Sequence, residues 1–186
     1  MKTFRQVFGA VTFVLLASAT AFAASVKIEG TPVPAQPKPD FSSMSFLVGT
    51  WTCSDLSSRR PGPFTTTEVY SMDPGGYWMM RDSTIHKASW IAREVRSQTK
   101  YTYDPGAKHW VRIQIGEGGT YSVATAPMPA GSKKTYTFVI QTTAPDIASY
   151  APEVFTKVSN TKKTMTTSFT ETSGRVVMVK ETCTKS

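Results

Sequence analysis

The sequence predicts an all-β protein in which one antiparallel sheet closes into a single up-and-down β-barrel of about 8–10 strands. From Gly49 onward the chain is rich in Thr, Val, Tyr, Phe and Trp, and turn residues recur about every 8–12 positions. Its two cysteines, Cys53 and Cys183, fall in the first and the last strand-like segments. A disulfide between them would bring the two strands within about 7 Å and close the sheet.

Residues 1–23 have the features of a cleavable signal peptide. Lys2 and Arg5 provide the positive charges, an apolar run follows, and Ala21-Phe22-Ala23 forms a small-x-small cleavage site. The apolar run is shorter than the roughly 20 residues needed to span a bilayer. We therefore expect cleavage near Ala23, no stable membrane insertion, and a periplasmic or secreted bacterial protein. In such an oxidising compartment a lone pair of cysteines is expected to form a disulfide.

Residues 24–40 are predicted to form a proline-rich extended arm. Four prolines lie between Pro32 and Pro39, and proline favours an extended, semi-rigid chain. A spacer is the favoured role, and a ligand for a proline-recognising partner is the alternative. Residues 41–186 then form the barrel, since the remaining length suits one domain.

The barrel is expected to begin with a short helical turn over residues 40–48, with Ser42 or Ser43 as N-cap and with Phe46 and Leu47 buried. Proline and glycine mark the turns at residues 73–76 and 104–106. Residues 143–152 have the weakest pattern and are expected to hold a longer loop or a short helix. The strands are predicted at 49–57, 64–71, 76–86, 95–104, 108–115, 120–126, 134–142, 153–159, 162–171 and 174–184.

Residue alternation predicts a lumen of mixed character. In the third and the last predicted strands, both faces combine apolar or aromatic side chains with polar or charged ones. A barrel packed solid would show one aliphatic face, so the mixture favours a cavity. A register shift of one residue would exchange the two faces. The side chains predicted to contact a ligand in the lumen are Tyr77, Met79, Arg81, Tyr101, Tyr103, Val111, Ile113, Phe138 and Val177.

Two motifs carry a family resemblance. Residues 46–51, Phe-Leu-Val-Gly-Thr-Trp, resemble the start of calycin-type barrels, including lipocalins, where a helical turn leads into a G-x-W. Residues 103–108, Tyr-Asp-Pro-Gly-Ala-Lys, are similar to the hairpin of a family of secreted bacterial lipocalin-like domains of unknown function. The resemblance covers about residues 41–184 and implies a calycin-like barrel. It also implies that Trp51 plugs the closed end against a basic side chain, for which Lys180 and Lys185 are candidates.

The sequence points to no catalytic site, metal site or cofactor. His86 and His109 stand apart near strand ends, whereas zinc sites need three or four clustered ligands. Either histidine is a candidate haem ligand, although no sequence feature favours that role. No G-x-S-x-G elbow or phosphate-binding glycine loop occurs. An enzyme of this fold would need a titratable group with a perturbed pKa in the lumen, and Glu181, or Arg81 beside Asp82, is the first candidate.

Basic residues are the remaining signal. The formal net charge is +8, and the charge is expected either to solvate hairpin turns or to attract an anionic envelope surface. Nucleic acid is not an expected partner of an exported chain that has no recognisable binding module. The lysines concerned are Lys133, Lys134, Lys157, Lys162, Lys163, Lys180 and Lys185.

Three functions are therefore compared. The leading hypothesis is an exported barrel that binds a small apolar or amphipathic molecule in its lumen. The first alternative is an envelope interaction protein with a filled barrel and a basic outer surface. The second alternative is an enzyme of calycin type that acts on a lipid-like substrate.

Overall fold

A computed structural model of the protein describes residues 36–127, 134–141 and 147–186. The barrel lies within the compact unit Pro37–Ser186, and the other unit, Met1–Gln36, has Gln36 as its one described residue. The predicted signal peptide and most of the predicted arm lie outside the described residues. The elements are a 3-10 helix (Ser42–Leu47) and strands β1 (Gly49–Ser57), β2 (Phe64–Met72), β3 (Met79–Ile85), β4 (Val95–Asp104), β5 (His109–Gly116), β6 (Tyr121–Pro127), β7 (Thr135–Ile140), β8 (Ile147–Tyr150), β9 (Glu153–Lys157), β10 (Lys162–Glu171) and β11 (Val176–Lys185).

Ten of these described strands close into an antiparallel barrel. Neighbours along the chain pair from β1 to β7, then β7 pairs with β9, β9 with β10 and β10 with β11, and β11 returns to β1. Strand β8 is additional: it follows β9 along the same edge of β10, with Tyr150 opposite Phe169. The predicted fold class, a closed all-β up-and-down barrel with a short N-terminal helical turn, is confirmed.

The two ends of the barrel differ in how completely side chains fill the interior. At the closed end, where β1 begins and β11 ends, inward-facing aromatic residues pack with Met44 and Leu47 of the 3-10 helix. Trp51 is fully buried there, and its Nε1 donates a hydrogen bond to the Leu47 carbonyl at 2.7 Å. The open end carries the β1–β2, β3–β4, β5–β6 and β10–β11 turns. Its inner face carries both polar and apolar side chains, and pockets remain between them.

The disulfide between Cys53 and Cys183 is confirmed. The two residues are directly opposite in the β1–β11 pair, with a Cα–Cα distance of 3.9 Å. The bridge therefore joins the first and last strands at the seam where the barrel closes. It closes a loop of 130 positions, for which chain entropy gives an upper figure of about 5 kcal/mol.

Lys185 is the basic residue that packs on Trp51. Its Nζ lies 5.6 Å from the Trp51 ring centroid and donates a hydrogen bond to the Phe46 carbonyl at 2.9 Å. Lys180, the other candidate, alternates onto the outer face of β11 and is exposed. The helix, the first strand and the last strand are thus tied together around one indole ring.

Three local predictions need correction. Phe41, not Ser42 or Ser43, occupies the N-cap position, and the Asp40 carboxylate accepts the Ser42 N–H at 2.8 Å. Strand β3 begins at Met79, not at residue 76, because Asp73 accepts the Trp78 N–H at 2.6 Å and extends the turn. In the segment predicted as a loop or short helix, residues 147–150 form β8, and residues 142–146 lie outside the described part of the chain.

Candidate functional site

A cavity of about 370 Å³ lies inside the open end of the barrel. This volume is within the range of pockets that hold small ligands. Inward-facing residues of β5, β6, β9 and β10 supply much of the polar lining, to which the β1–β2 turn adds Arg59, ion-paired with Glu171 at 3.1 Å. Residues near the ends of β7, β8 and β10 supply the apolar part. The polar residues used below are Arg112, Gln114, Ser122 and Glu153, and the apolar ones are Ile140, Ile147 and Phe169.

An ion pair between Arg112 and Glu153 forms the floor of this cavity. The Arg112 side chain is only 2% exposed, and its guanidinium lies 5.3 Å from the Phe138 ring centroid. Ala124 is directly opposite Arg112 in the β5–β6 pair and is itself fully buried. The small alanine leaves room for the long arginine side chain, so a charged group lies well inside the barrel.

Arg112 keeps an unused hydrogen-bond donor. Its Nη1 donates to Glu153, but its Nε is buried and has no hydrogen-bond partner among the described residues. A buried donor without a partner costs about 1–3 kcal/mol. The guanidinium presents several N–H groups in one plane, so a bound acceptor would relieve this cost.

A second group of charges fills the middle of the barrel, between the cavity and the closed end. Glu68 is buried and accepts hydrogen bonds from Arg81, at 2.7 Å, and from Lys163. Lys163 also contacts Glu181, with 3.3 Å between Nζ and Oε1. Asp55 accepts a hydrogen bond from Thr66 at 2.5 Å. We call Asp55, Glu68, Arg81, Lys163 and Glu181 the central charge cluster.

Burial and mutual repulsion change the acidity of this cluster. Burial raises the pKa of Glu181 to about 8, and the Glu68 carboxylate adds to the rise, against the attraction of Lys163. Burial also raises the pKa of Asp55. For Glu68, burial acts in the same direction, but the combined attraction of Arg81 and Lys163 is larger and leaves its pKa lowered. At neutral pH, Glu181 is therefore mostly protonated and Glu68 is ionised.

The central charge cluster has no room for a substrate. The space lined by Arg81, Lys163 and Glu181 of this cluster, together with Tyr70 and Tyr101, is about 10 Å³, roughly the least that holds one water molecule. Glu181 thus has the perturbed pKa that the enzyme hypothesis requires, but no substrate-sized space beside it. The other proposed pair does not form, because Arg81 faces Glu68 inside whereas Asp82 is exposed and accepts from Gln98 outside.

One potential metal-ligand group occurs among the described residues. Oxygen atoms of Glu68 and Glu181 and the sulfurs of Cys53 and Cys183 lie within 4.8 Å of one another. Both sulfurs are bound to each other in the disulfide, and thiolates, not disulfides, are metal ligands. The two carboxylates are already held by Lys163. The chemistry of this donor set does not fit a metal ion.

His86 lies near the outer surface of the barrel, away from the cavity. Its Nε2 is 2.7 Å from Thr67 Oγ1 and its Nδ1 is 3.1 Å from Glu94 Oε1. Both ring nitrogens are thus engaged by protein groups. His109 is the first residue of β5, on the outward-facing side of that strand.

Six of the nine residues predicted to line the lumen lie on the inner face. Tyr77 is outside the strands, in the turn before β3, with Lys38 5.7 Å from its ring centroid. Val111 and Ile113 are corrections: they pair with the outward-facing Thr102 and Lys100 and lie on the outer face of β5. The six inner residues are Met79, Arg81, Tyr101, Tyr103, Phe138 and Val177.

None of the nine lines the 370 Å³ cavity. The sequence pattern misses Arg112 and Gln114 because the aliphatic face of β5 predicts the opposite side of that strand as the inner one. Trp110, Arg112 and Gln114 share the true inner face, and Trp110 and Arg112 are both buried. The available signal was that Arg112 lies two residues from Trp110 and therefore on the same face of β5. A charged side chain on a buried face needs a specific partner.

A second pocket, of about 500 Å³, lies at the open end beside β1–β4 and β11. Trp90, in the β3–β4 connection, meets Phe64 edge-on at a ring-centroid distance of 5.1 Å. The Arg60 guanidinium lies 4.5 Å from the Trp90 ring centroid. This pocket is lined mainly by apolar side chains, and its arginines reach it from turns and not from the barrel interior. It therefore offers less specific recognition than the cavity above Arg112.

The fold and cavity define a closed antiparallel barrel with an internal cavity at one end. No family model and no curated protein matches the chain. Among solved structures the chain is similar to EF1p2_mFAP2b bound to DFHBI, with 10% identity, a TM-score of 0.45, and coverage of 77% of this chain and 97% of that one.

A second similar structure is a protein of unknown function from the DUF3598 family of Nostoc punctiforme PCC 73102. It has 16% identity and a TM-score of 0.40, with coverage of 85% of this chain and 53% of that one. The chain thus spans about half the length of that protein. Because both TM-scores are below 0.5, neither likeness carries a functional argument.

Proposed function

We propose that this is an exported protein that binds one small amphipathic molecule in the open end of its barrel. The observation that carries the proposal is the 370 Å³ cavity, with Arg112 and Glu153 at its floor and Ile140, Ile147 and Phe169 in its wall. Burial of apolar ligand surface contributes about 25 cal/mol per Å². The polar floor would orient the ligand. No part of this function requires chemistry on the bound molecule.

Export belongs to the same proposal. It is supported by the leader-like residues 1–23 and by the disulfide, which is typical of oxidising compartments. No helix among the described residues is long and apolar enough to cross a membrane. We also propose membership of the secreted lipocalin-like family named above, with residues 41–186 as its domain, supported by the packing of Lys185 on Trp51.

The described structure weakens both alternatives. Of the lysines counted toward a basic outer surface, Lys163 is buried in the central charge cluster and Lys185 packs on Trp51. Lys157 is partly buried, with its Nζ 4.5 Å from the Phe46 ring centroid. Lys134, Lys162 and Lys180 are exposed, and Lys133 lies outside the described residues. The enzyme hypothesis is weakened because Glu181 is enclosed.

Binding in the cavity can be tested with N-phenyl-1-naphthylamine, a neutral apolar fluorophore. We expect saturable fluorescence enhancement at one probe per protein. Ile140→Trp, which fills the cavity, should abolish it. Val139→Trp is the matched control, because Val139 is the preceding residue of β7 and faces outward, 46% exposed.

Equal binding by both tryptophan variants would place the probe outside the cavity and contradict the proposal. Export is tested separately, by expressing the full chain in a bacterium and sequencing the N-terminus of the periplasmic or secreted product. We expect Ala24 as the first residue and no free thiol. A full-length product that keeps its leader and stays in the cytoplasm would contradict export without affecting the binding result.

A further inference from the structure

We propose that the molecule bound in this cavity carries a single carboxylate, which Arg112 binds at the floor while the apolar part of the molecule extends toward the mouth. This inference rests on the proposed function and specifies the chemical class of its ligand. It depends on three features of the described structure: the depth of Arg112, its unused donor, and the arrangement of polar and apolar residues along the cavity.

The depth of Arg112 makes it a recognition group rather than a surface charge. Its side chain is 98% buried, yet it lines a cavity large enough for a small molecule. Water screens exposed ion pairs strongly but buried ones much less. An anion held beside Arg112 would therefore interact with it more strongly than an anion beside an exposed arginine such as Arg93 or Arg175.

The hydrogen bonds of Arg112 within the described structure leave one of its N–H donors for a ligand. Glu153 accepts from Nη1 only, and the Nε–H has no partner among the described residues. A guanidinium presents its N–H groups as a planar fork that matches a carboxylate, often in a two-bond contact. The Nε has almost no accessible surface in this structure, so a ligand carboxylate would reach it after a small turn of the guanidinium toward the cavity. It would then complete the hydrogen bonds of Arg112 without displacing Glu153 from Nη1.

The neighbouring Glu153 carboxylate limits the charge that the ligand can bring. A dianionic phosphate would add two negative charges beside one already present, and like charges at short range repel. A monoanionic carboxylate adds one charge. The floor therefore favours a single carboxylate over a phosphate ester, and the cation Arg112 disfavours a ligand with an ammonium group.

The apolar residues complete the match to an amphipathic acid. Ile140, Ile147 and Phe169 line the wall above the floor, where an alkyl chain would be removed from water. Gln114 and Ser122 lie on the inner faces of β5 and β6, directly opposite each other. They supply additional polar groups close to the floor and do not interrupt the apolar wall.

The test compares three ligands of equal chain length, decanoate, 1-decanol and decyltrimethylammonium, by isothermal titration calorimetry at pH 7. We expect decanoate to bind at least about tenfold more tightly than decanol, which corresponds to about 1.4 kcal/mol, and the ammonium to bind most weakly. If decanol binds as well as decanoate, the carboxylate inference is overturned and the proposed function stands. If neither these ligands nor the neutral fluorophore binds, the proposed function itself fails.

Variants of the floor provide opposite expected shifts. Glu153→Gln removes the competing carboxylate, so decanoate affinity should rise several-fold while decanol affinity stays the same. Arg112→Gln should reduce decanoate affinity to that of decanol. Because Arg112→Gln leaves Glu153 buried without its cation, the double variant Arg112→Gln/Glu153→Gln is measured beside it and should show the same loss of preference.

The control is Arg93→Gln, an exposed arginine at the second pocket of the same end, which should leave the decanoate preference unchanged. A merely structural role of the Arg112–Glu153 pair would lower the affinity for both ligands in Glu153→Gln. A loss of decanoate affinity in that variant would therefore contradict the inference, as would a preserved preference in the double variant.

Discussion

The two ends of this barrel are built from the same antiparallel strands but differ in what their inward-facing side chains do. At the closed end, aromatic residues and the 3-10 helix fill the interior, and Trp51 has no exposed surface. At the open end, the floor is an ion pair with an unused donor and the space above it is empty of side chains. The difference indicates that the packing that stabilises the barrel is concentrated at the closed end, and it supports our proposal that ligand recognition occurs at the open end.

Of the changes that test this difference between the two ends, removal of Trp51 should lower the free energy of unfolding most. Trp51→Ala deletes a fully buried indole, and such changes cost about 3–5 kcal/mol. We expect a loss of this size in the free energy of unfolding, measured by urea denaturation, with unchanged fluorophore affinity in the folded fraction. Phe169→Ala at the open end should cost less, because Phe169 is only partly buried. If both variants lost the same free energy of unfolding, the proposal that stability is concentrated at the closed end would be contradicted.

Breaking the disulfide should have the next largest effect. Cys53→Ser/Cys183→Ser releases the seam between β1 and β11, and loss of a disulfide typically costs about 2–4 kcal/mol. We expect a lower midpoint in urea but retained binding at the open end in the absence of denaturant. Free-thiol labelling of the native parent protein is the control, and it should detect no thiol.

The central charge cluster should make stability fall as pH rises. The pKa of Glu181 is about 8 in the folded protein, against an ordinary value of 4.5, so the folded state holds a proton that the unfolded state has lost between these pH values. The resulting stability is fully present below pH 4.5 and disappears as pH rises through 8. The raised pKa of Asp55 acts in the same direction. We expect a loss of about 2 kcal/mol between pH 6 and pH 8.

Glu181→Gln is the variant that tests this dependence. It cannot ionise, so its free energy of unfolding should vary less with pH than that of the parent and should exceed the parent value at pH 9. Asp82→Asn, on the outer face of β3, is the control and should keep the parent slope. A Glu181→Gln slope equal to that of the parent would show that another group carries the dependence.

The sequence was a better guide to the path of the chain than to the direction of its side chains. Strand alternation and proline–glycine turns are local signals, and they located the barrel strands to within a few residues. The predicted inner face of β5 was wrong because the aliphatic face, with Val111 and Ile113, resembles a hydrophobic core more than the face with Arg112 does. In a barrel that encloses charges, the usual association of aliphatic residues with the interior does not hold.

The central charge cluster had no local signal. Glu68 lies 13 positions from Arg81 and 95 positions from Lys163, so their contacts depend on the closed barrel. The length of the β2–β3 turn was missed for a different reason. Two hydrogen bonds between Asp73 and Trp78 set where β3 begins: the Trp78 N–H donates to the Asp73 carboxylate, and the Asp73 N–H donates to the Trp78 carbonyl. No hydrophobic pattern records such bonds.

The smallest expected effect distinguishes the two lysines near the C-terminus. Lys185→Ala removes a cation near the Trp51 ring and the hydrogen bond to the Phe46 carbonyl, each worth about 0.5–1.5 kcal/mol. We expect a loss of about 1–2 kcal/mol in urea denaturation. Lys180→Ala is the matched control on the same strand, and as an exposed substitution it should stay within about 0.5 kcal/mol.

The two lysine variants also test whether the closed end acts as one unit. If Lys185 stabilises the barrel through Trp51, then Lys185→Ala should cost little in a Trp51→Phe background, because the smaller ring has already lost the contact. Strictly additive losses in this double-mutant cycle would show that Lys185 acts through the Phe46 carbonyl alone. A clear coupling would show that the helix, the first strand and the last strand share a single packing unit at the end opposite the cavity.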